Sequence, residues 1–498
     1  MFNLVMSLSY INTLITLQKA VAPVRSRGPE SGFLSRRDEM RGKICLGVIP
    51  LLLLGIVVSS EANVNSLTAG VNLGLDIDHR INKGPGQSST NVDYNRISTS
   101  PSFTFKSDDI KEGIAFTYAP AFKYDLNGRG TDVDQSLNFS AHKSLLKEWQ
   151  IKISELYVNT DDPSLSANQT PSAESNPQSV SNVSPDQISN NLGRRRFWMN
   201  NASVTSDYTY FQDSVVSLGY TNSVLRNDGT STLGFQNYDK HSGLLSVSYR
   251  FSPEWKAIVG GQYVRGLYDT PVLATLGSQS DLQEYHGNMS LESYMFLHNV
   301  LSVSYGYVGT KYDATTRNDS DIHNVTFGWK RDVSPHTSFD LGAGPSYAKT
   351  EGFDPKWGYN AHAKLNYAIE HGKFGIGVDK SYSQDNFSGT SNGGTIDSWT
   401  LNGNFAYQLY EELSCGLFAS WADRDHQNAF VGNTSNTESY KEKIYSTGVT
   451  MNYSFWRWFT ATVGYTFSRQ EATSSRFPDY DDHRIYLTLG AQKELLRW

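Results

Sequence analysis

Beyond its first sixty residues, this 498-residue chain has no long apolar run, and its mean hydropathy of -0.45 is that of a polar protein. A helix crossing a bilayer needs about twenty consecutive apolar residues, so helical spans are excluded from that stretch. Cysteine is nearly absent: of two, Cys45 falls in an N-terminal apolar segment and Cys415 stands alone, which excludes a disulfide framework and a cysteine-based metal site. Charge of one sign is lacking too, with 43 basic against 50 acidic residues, and a chain acidic by seven does not suit nucleic acid. Eleven histidines are scattered without metal spacing, and there is no His-Glu-x-x-His, nucleophile elbow or phosphate loop. The chain therefore reads as a non-enzyme without cofactor, although a Ser-His or Asp-His constellation assembled from distant positions leaves no sequence signature.

What the chain has in quantity is Gly 41, Tyr 29 and Phe 24, with aromatics at 13%. Aromatics suit strands and bilayer interfaces, and glycine suits crowded lumen positions and turns. The aromatics fall into a two-residue rhythm. In residues 67–78, Leu67, Ala69, Val71, Leu73, Leu75 and Ile77 alternate with Thr68, Gly70, Asn72, Gly74, Asp76 and Asp78. Alternation of this kind places one row on lipid and the other in a lumen. It recurs to the end, where Asp482-His483-Arg484-Ile485-Tyr486-Leu487-Thr488-Leu489 leads to Trp498. About twenty such segments can be counted, with eighteen as the alternative, and the expectation is an all-β, antiparallel, up-and-down transmembrane barrel without a plug domain. A soluble sandwich or propeller also alternates, but its strands are shorter and its loops are not sorted by length.

The connections support this reading. Short ones, such as Ser252-Pro253-Glu254, Glu411-Glu412 and Trp456-Arg457-Trp458, alternate with long ones, such as 161–196, 269–280, 385–394 and 425–439. Short periplasmic turns and longer outer loops are the asymmetry of bacterial outer-membrane barrels. Aromatics cluster beside the short turns, among them Phe103, Trp149, Tyr208, Tyr249, Trp329 and Tyr453, as a girdle at the headgroup level. Pro101, Pro120 and Pro345 fall inside predicted strands.

The front of the chain reads as processing sequence. Arg41 and Lys43 precede an apolar run through Leu51-Leu52-Leu53-Leu54, and Ser60-Glu61-Ala62 follows it. Residues 40–62 have the layout of a signal peptide, and 1–39 read as an over-extended start or a long leader. Cleavage after Ala62 would leave a barrel of 436 residues, acidic by ten.

Three motifs carry a resemblance: Arg194-Arg195-Arg196 through Asn200-Asn201-Ala202; the Tyr249-Arg250-Phe251-Ser252-Pro253 turn; and Val463-Gly464-Tyr465-Thr466-Phe467-Ser468-Arg469 with the final strand. With the layout of most of the mature chain, they resemble an outer-membrane β-barrel porin family often associated with exopolysaccharide gene clusters. The resemblance implies an envelope channel or export accessory, with polysaccharide export components as partners and no catalytic residues to carry over. The chain differs in ending on Trp498, the residue the barrel-assembly machinery would read, after an added Lys493-Glu494-Leu495-Leu496.

A barrel this wide leaves an aqueous channel unless loops restrict it. Candidate pore-lining charges are Asp76, Asp78, Asp207, Glu292, Asp340 and Asp379 against Lys364 and Arg484, joined by Lys106, Lys152, Arg250 and Lys330. No sign dominates, which predicts weak selectivity leaning towards cations. His286, His323, His362 and His483 read as polar lumen residues. The connection 161–196 is rich in Ser, Asn, Pro and Gln and ends on Arg194, Arg195 and Arg196. Those arginines either pair with lumen carboxylates as a constriction for anionic groups such as acidic sugars, or belong to an outer flap touching lipopolysaccharide phosphates and water. The second is the more ordinary behaviour of such a loop. Outer-membrane lipid and lipopolysaccharide would surround the barrel, and a homo-oligomer is compatible with the pattern. The expected function is passive passage of small hydrophilic solutes or saccharides, with a loop-closed receptor or structural barrel as alternative.

Overall fold

The computed structural model describes residues 64–83, 90–109, 111–128, 130–162, 194–228, 236–269, 281–314, 317–388, 394–430, 437–473 and 479–498. The leader expected over 1–62 and the body of the long loop, 163–193, lie outside the described residues.

The alternating segments form twenty strands: β1 Val64–Lys83, β2 Thr90–Asp108, β3 Glu112–Asp125, β4 Gly130–Leu146, β5 Trp149–Thr160, β6 Phe197–Phe211, β7 Ser214–Asn227, β8 Tyr238–Ser252, β9 Trp255–Tyr268 and β10 Leu282–Ser293. The second half comprises β11 Asn299–Tyr312, β12 Ser320–Ser334, β13 Thr337–Thr350, β14 Lys356–Ile369, β15 Gly372–Gln384, β16 Thr395–Tyr410, β17 Leu413–Phe430, β18 Thr437–Phe455, β19 Phe459–Ala472 and β20 Asp479–Arg497. Every strand pairs antiparallel with its sequence neighbours, and β1 pairs with both β2 and β20, so the sheet closes. Closure satisfies the backbone of every strand without leaving an edge, the condition for crossing hydrocarbon as β-structure.

Period two decides which face meets lipid. Val71, Leu73 and Ile77 of β1 are exposed on the outside, as are Leu245, Tyr249 and Phe251 of β8 and Ile485, Leu487 and Leu489 of β20. Leu73 remains 55% accessible to water, a surface no soluble protein would repeat around a ring. Lipid in place of water stabilises each such side chain by about 1.5 to 3 kcal/mol. A one-residue slip in register would turn the whole row inward, so the pattern fixes the register. The strands, 12 to 20 residues long, exceed the roughly ten that a tilted span requires.

The prolines interrupt the ladder where they must. Between β2 and β3 the pairing stops after Thr99 and Phe122 and resumes at Phe103 and Tyr118, so that Pro101 and Pro120, neither with an N–H to give, share one gap. Each still pairs with its other neighbour, Pro101 with Val71 and Pro120 with Gln135. Around Pro345 the β12–β13 ladder skips from Asn324–Ser346 to Phe327–Ala343. There the Asn360 side-chain amide donates to the carbonyl oxygens of Val325 at 2.9 Å and Pro345 at 3.3 Å, replacing what the proline cannot supply.

The added C-terminal residues continue the last strand. Arg497 pairs with Ser66, and Trp498 exchanges backbone hydrogen bonds with Asn65 at 2.9 and 3.0 Å. One expectation is corrected. His323 and His483, read as lumen residues, lie on the outer face in register with Tyr307 and Phe467, and share hydrogen bonds with the hydroxyls of Tyr305 and Tyr465 at 2.8 and 2.9 Å. Their neighbours Ile322 and Arg484 take the inward positions instead.

Candidate functional site

The inner face differs from one part of the ring to another. Along β1–β4 and β20, near the longer connections, it is charged. Asp76 and Asp78 alternate inward on β1, and Arg484 stands opposite Asp78 on β20. Arg484 donates to both Asp76 oxygens at 2.8 and 2.9 Å and to Asp162 at 2.8 Å. The Arg194 Nε–H donates to Asp78 at 2.7 Å, while its terminal nitrogens approach Asp162 at 3.5 Å and Asp76 at 3.8 Å. Both ends of the long connection, Asp161-Asp162 and Arg194, are thereby fastened to the wall. Asp161 also accepts from Arg96 at 3.0 Å and from Lys123 at 3.3 Å. Lys123 continues to Asp134, which accepts from the Thr160 hydroxyl at 2.6 Å. Arg196 pairs with Asp132, and Arg195 donates to Asn227 at 2.6 Å beside the Phe197 ring.

Electrostatics holds this cluster charged. Burial pushes the Asp161 carboxyl up, but the hydrogen bond from Arg96 and the charges of Lys123, Arg96 and Arg194 outweigh it and bring the group down to about 2. For Arg194, burial is outweighed by Asp162, Asp78, Asp161 and Asp76, which hold the guanidinium above its ordinary value. Asp132, Asp134 and Asp161 bring three carboxylate oxygens within 4.8 Å of one another, the spacing of a cation site. Lys123, Arg96 and Arg196 already neutralise that set, so it does not suit a divalent ion.

Along β6–β11, at the same end of the barrel, the inner face is apolar and aromatic. Phe197, Met199, Leu225, Tyr238, Val264, Tyr268 and Leu282 form one buried cluster with Phe387. Phe387 comes from the connection between β15 and β16, which leaves the wall and reaches a face separated from it by β12, β13 and β14. Its ring stands edge-on to Tyr238 at 5.3 Å and stacks on Tyr268 at 5.9 Å, with the Lys240 ammonium 4.3 Å from its centre. Asn386 beside it accepts from the hydroxyls of Tyr268 at 2.7 Å and Tyr312 at 2.8 Å and donates to Glu284 at 2.6 Å.

The remaining candidates are spread around the ring. Asp207 accepts from Ser217 at 2.7 Å and lies 3.3 Å from Lys152; Glu292 accepts from Tyr294 at 2.6 Å. Asp340 stands in register with Lys364 and 3.2 Å from His362, and Asp379 is opposite His362. Of the positions named from sequence, the fold therefore gathers Asp76, Asp78, Arg484 and Arg194 into one cluster and leaves Asp207, Glu292, Asp340, Lys364 and Asp379 apart. Sequence reasoning missed Arg96, Lys123, Asp161 and Asp162, placed Asp134 only as one polar lumen position among many, and missed the whole Phe387 contact. A signal for the latter existed: Phe197, Met199 and Leu225 occupy inward phase, so alternation is broken at the loop-side ends of these strands.

Closed antiparallel strands, an apolar exterior and a polar interior define a transmembrane β-barrel of the bacterial outer membrane. In comparisons with known proteins, no family model and no curated protein matches the chain. Solved structures resemble it in outline. OpdQ of Pseudomonas aeruginosa is 11% identical, covering 86% of this chain and 98% of its own, at a TM-score of 0.41. OccAB4 of Acinetobacter baumannii is 11% identical over 85% and 98%, at 0.39. The siderophore receptor PirA of P. aeruginosa is 10% identical over 86% and 80%, at 0.47. Likeness at this level carries no argument about activity, and the barrel stands on its own strand pairing.

Proposed function

We propose that the chain is a porin-like channel for passive passage of small hydrophilic solutes or saccharides. The observation that carries this reading is a closed ring of twenty strands with polar side chains inward, wide enough to hold water unless loops fill it. The arginines of the long connection narrow the passage from the charged wall. Because Arg194 and Arg484 are each matched by carboxylates, that wall offers little uncompensated positive charge, and selectivity is weak and leans towards cations. Single-channel recording of refolded residues 63–498 tests this: openings with a small cation-favouring reversal potential in a salt gradient are expected. A folded, heat-modifiable barrel that never conducts would sink it.

A second reading is favoured by the Phe387 contact: a loop-closed barrel associated with exopolysaccharide export, silent until an export component engages it. Genes for polysaccharide synthesis beside its own would support that reading. In either case the proposed surroundings are outer-membrane lipid and lipopolysaccharide, with insertion by the barrel-assembly machinery, and cross-linking in the membrane tests for a homo-oligomer.

A further inference from the structure

The Asp385–Ser388 segment leaves β15 and reaches across to β8–β11. Its root is pinched, with the Asp385 N–H donating to the Gly394 carbonyl at 3.2 Å, and Gly394 has φ of +148°, a conformation that side-chain-bearing residues rarely adopt. From that root Asn386, Phe387 and Ser388 are buried, at 2%, 8% and 6% accessibility, against the lumen face of β8–β11. The receiving wall is shaped for the ring: a Cβ at Gly266 would stand 2.9 Å from two Phe387 ring atoms. Four hydrogen bonds fasten the backbone and amide, three from Tyr238, Tyr268 and Tyr312 and one to Glu284.

We propose that Asp385–Ser388 is an internal gate, obstructing the lumen when docked on β8–β11 and opening it when released. The proposal rests on the channel reading above. Two features distinguish this contact from a permanent plug. It includes one aromatic ring, the Lys240 ammonium over it and the hydrogen bonds just named, whose phenol hydroxyls, amide and carboxylate water in the lumen can satisfy on release. The contact is also made by a loop outside the strand ladder, so release leaves every barrel hydrogen bond in place. The arginine cluster, also made by a connection, lacks the first property, since removing Arg194 would strand buried carboxylates.

The test uses the full mature barrel in a C415S background. N386C combined with E284C is bridged by a short bifunctional thiosulfonate, and bridging is read by gel mobility and by recovery on reduction. Conductance should fall several-fold when bridged and return on reduction. Independently, F387A and G266A, the latter placing a methyl group 2.9 Å from the docked ring and 3.2 Å from the Tyr268 ring of the same wall, should raise the open probability several-fold with the heat-modifiable fold intact. A folded barrel that does not bridge would overturn the docking. A channel that conducts equally when bridged and reduced would overturn the gate and leave the channel reading standing. Silence in every form, F387A and G266A included, would overturn the channel reading and the gate with it.

Discussion

On one side of the ring, β1–β4 and β20 face the lumen with carboxylates and cations locked into pairs; on the other, β6–β11 face it with Phe197, Met199, Leu225, Tyr238 and Tyr268. Both faces receive a loop, but they hold it by different physics. The charged wall fixes Asp161-Asp162 and Arg194 through interactions that become costly when one partner is removed, because a desolvated charge is left behind. The aromatic wall holds Asn386-Phe387 through ring contact and through hydrogen bonds from three tyrosine hydroxyls and to the Glu284 carboxylate, none of them an ion pair, so that water can take the place of each partner. The first arrangement suits a fixed narrowing and the second a movable one.

The comparison can be broken most severely at Arg194. Its side chain and that of Asp78 are 7% and 4% exposed, so R194A leaves Asp78 without its close counter-charge and Asp162 with that of Arg484. Loss of about 3 to 5 kcal/mol is expected for the charged wall. Urea unfolding followed by tryptophan fluorescence measures it, and a midpoint equal to wild type would show that the pairs do not anchor the loop. Acid gives a smaller, graded version. The Asp161 carboxyl is held below its unfolded value, so its contribution, about 2 kcal/mol, is complete above the ordinary aspartate range near 4 and disappears as pH falls towards about 2. Limited proteolysis of the 161–196 connection with an acid-active protease should therefore accelerate between about pH 4 and pH 2. A flat profile across that window would remove Asp161 from the anchor. The smallest effect is expected at Asp340, which is 43% exposed in the part of the lumen near the short turns. D340N should change stability by less than about 0.5 kcal/mol and reduce the cation preference slightly, read as a shift in reversal potential. A large loss of stability there would mean that the wetted lumen is as tightly coupled as the charged wall.

Legibility from sequence followed the range of the interaction. Lipid-facing rows such as Val71, Leu73 and Ile77 are set by neighbours two residues away, so alternation revealed them. Asp76, Asp78 and Arg484 were legible as inward charges for the same reason. Their convergence was not, because Arg484 is 408 positions from Asp76 and 322 from Asp162. His323 and His483 were misplaced because a histidine suits either a wet lumen or an aromatic outer rim, and composition does not choose between them. Phe387 was invisible as a contact: an aromatic residue in a polar loop carries no mark of the wall that it and Asn386 reach, 74 to 149 positions away.

What the sequence determined alone was the repeating unit: strands of period two, short turns alternating with longer connections, an exterior for lipid and an interior for water. These follow from the chain's local geometry and from the high cost of an unpaired backbone or a misplaced charge in hydrocarbon. What only the tertiary structure decided was how the interior is divided: which charges cancel, which loop is fastened by them, and which loop leaves the wall to rest on tyrosines. Closure of the ring brings β20 against β1 and turns β8–β11 towards the β15–β16 connection, and those distances exist only once the circumference is complete.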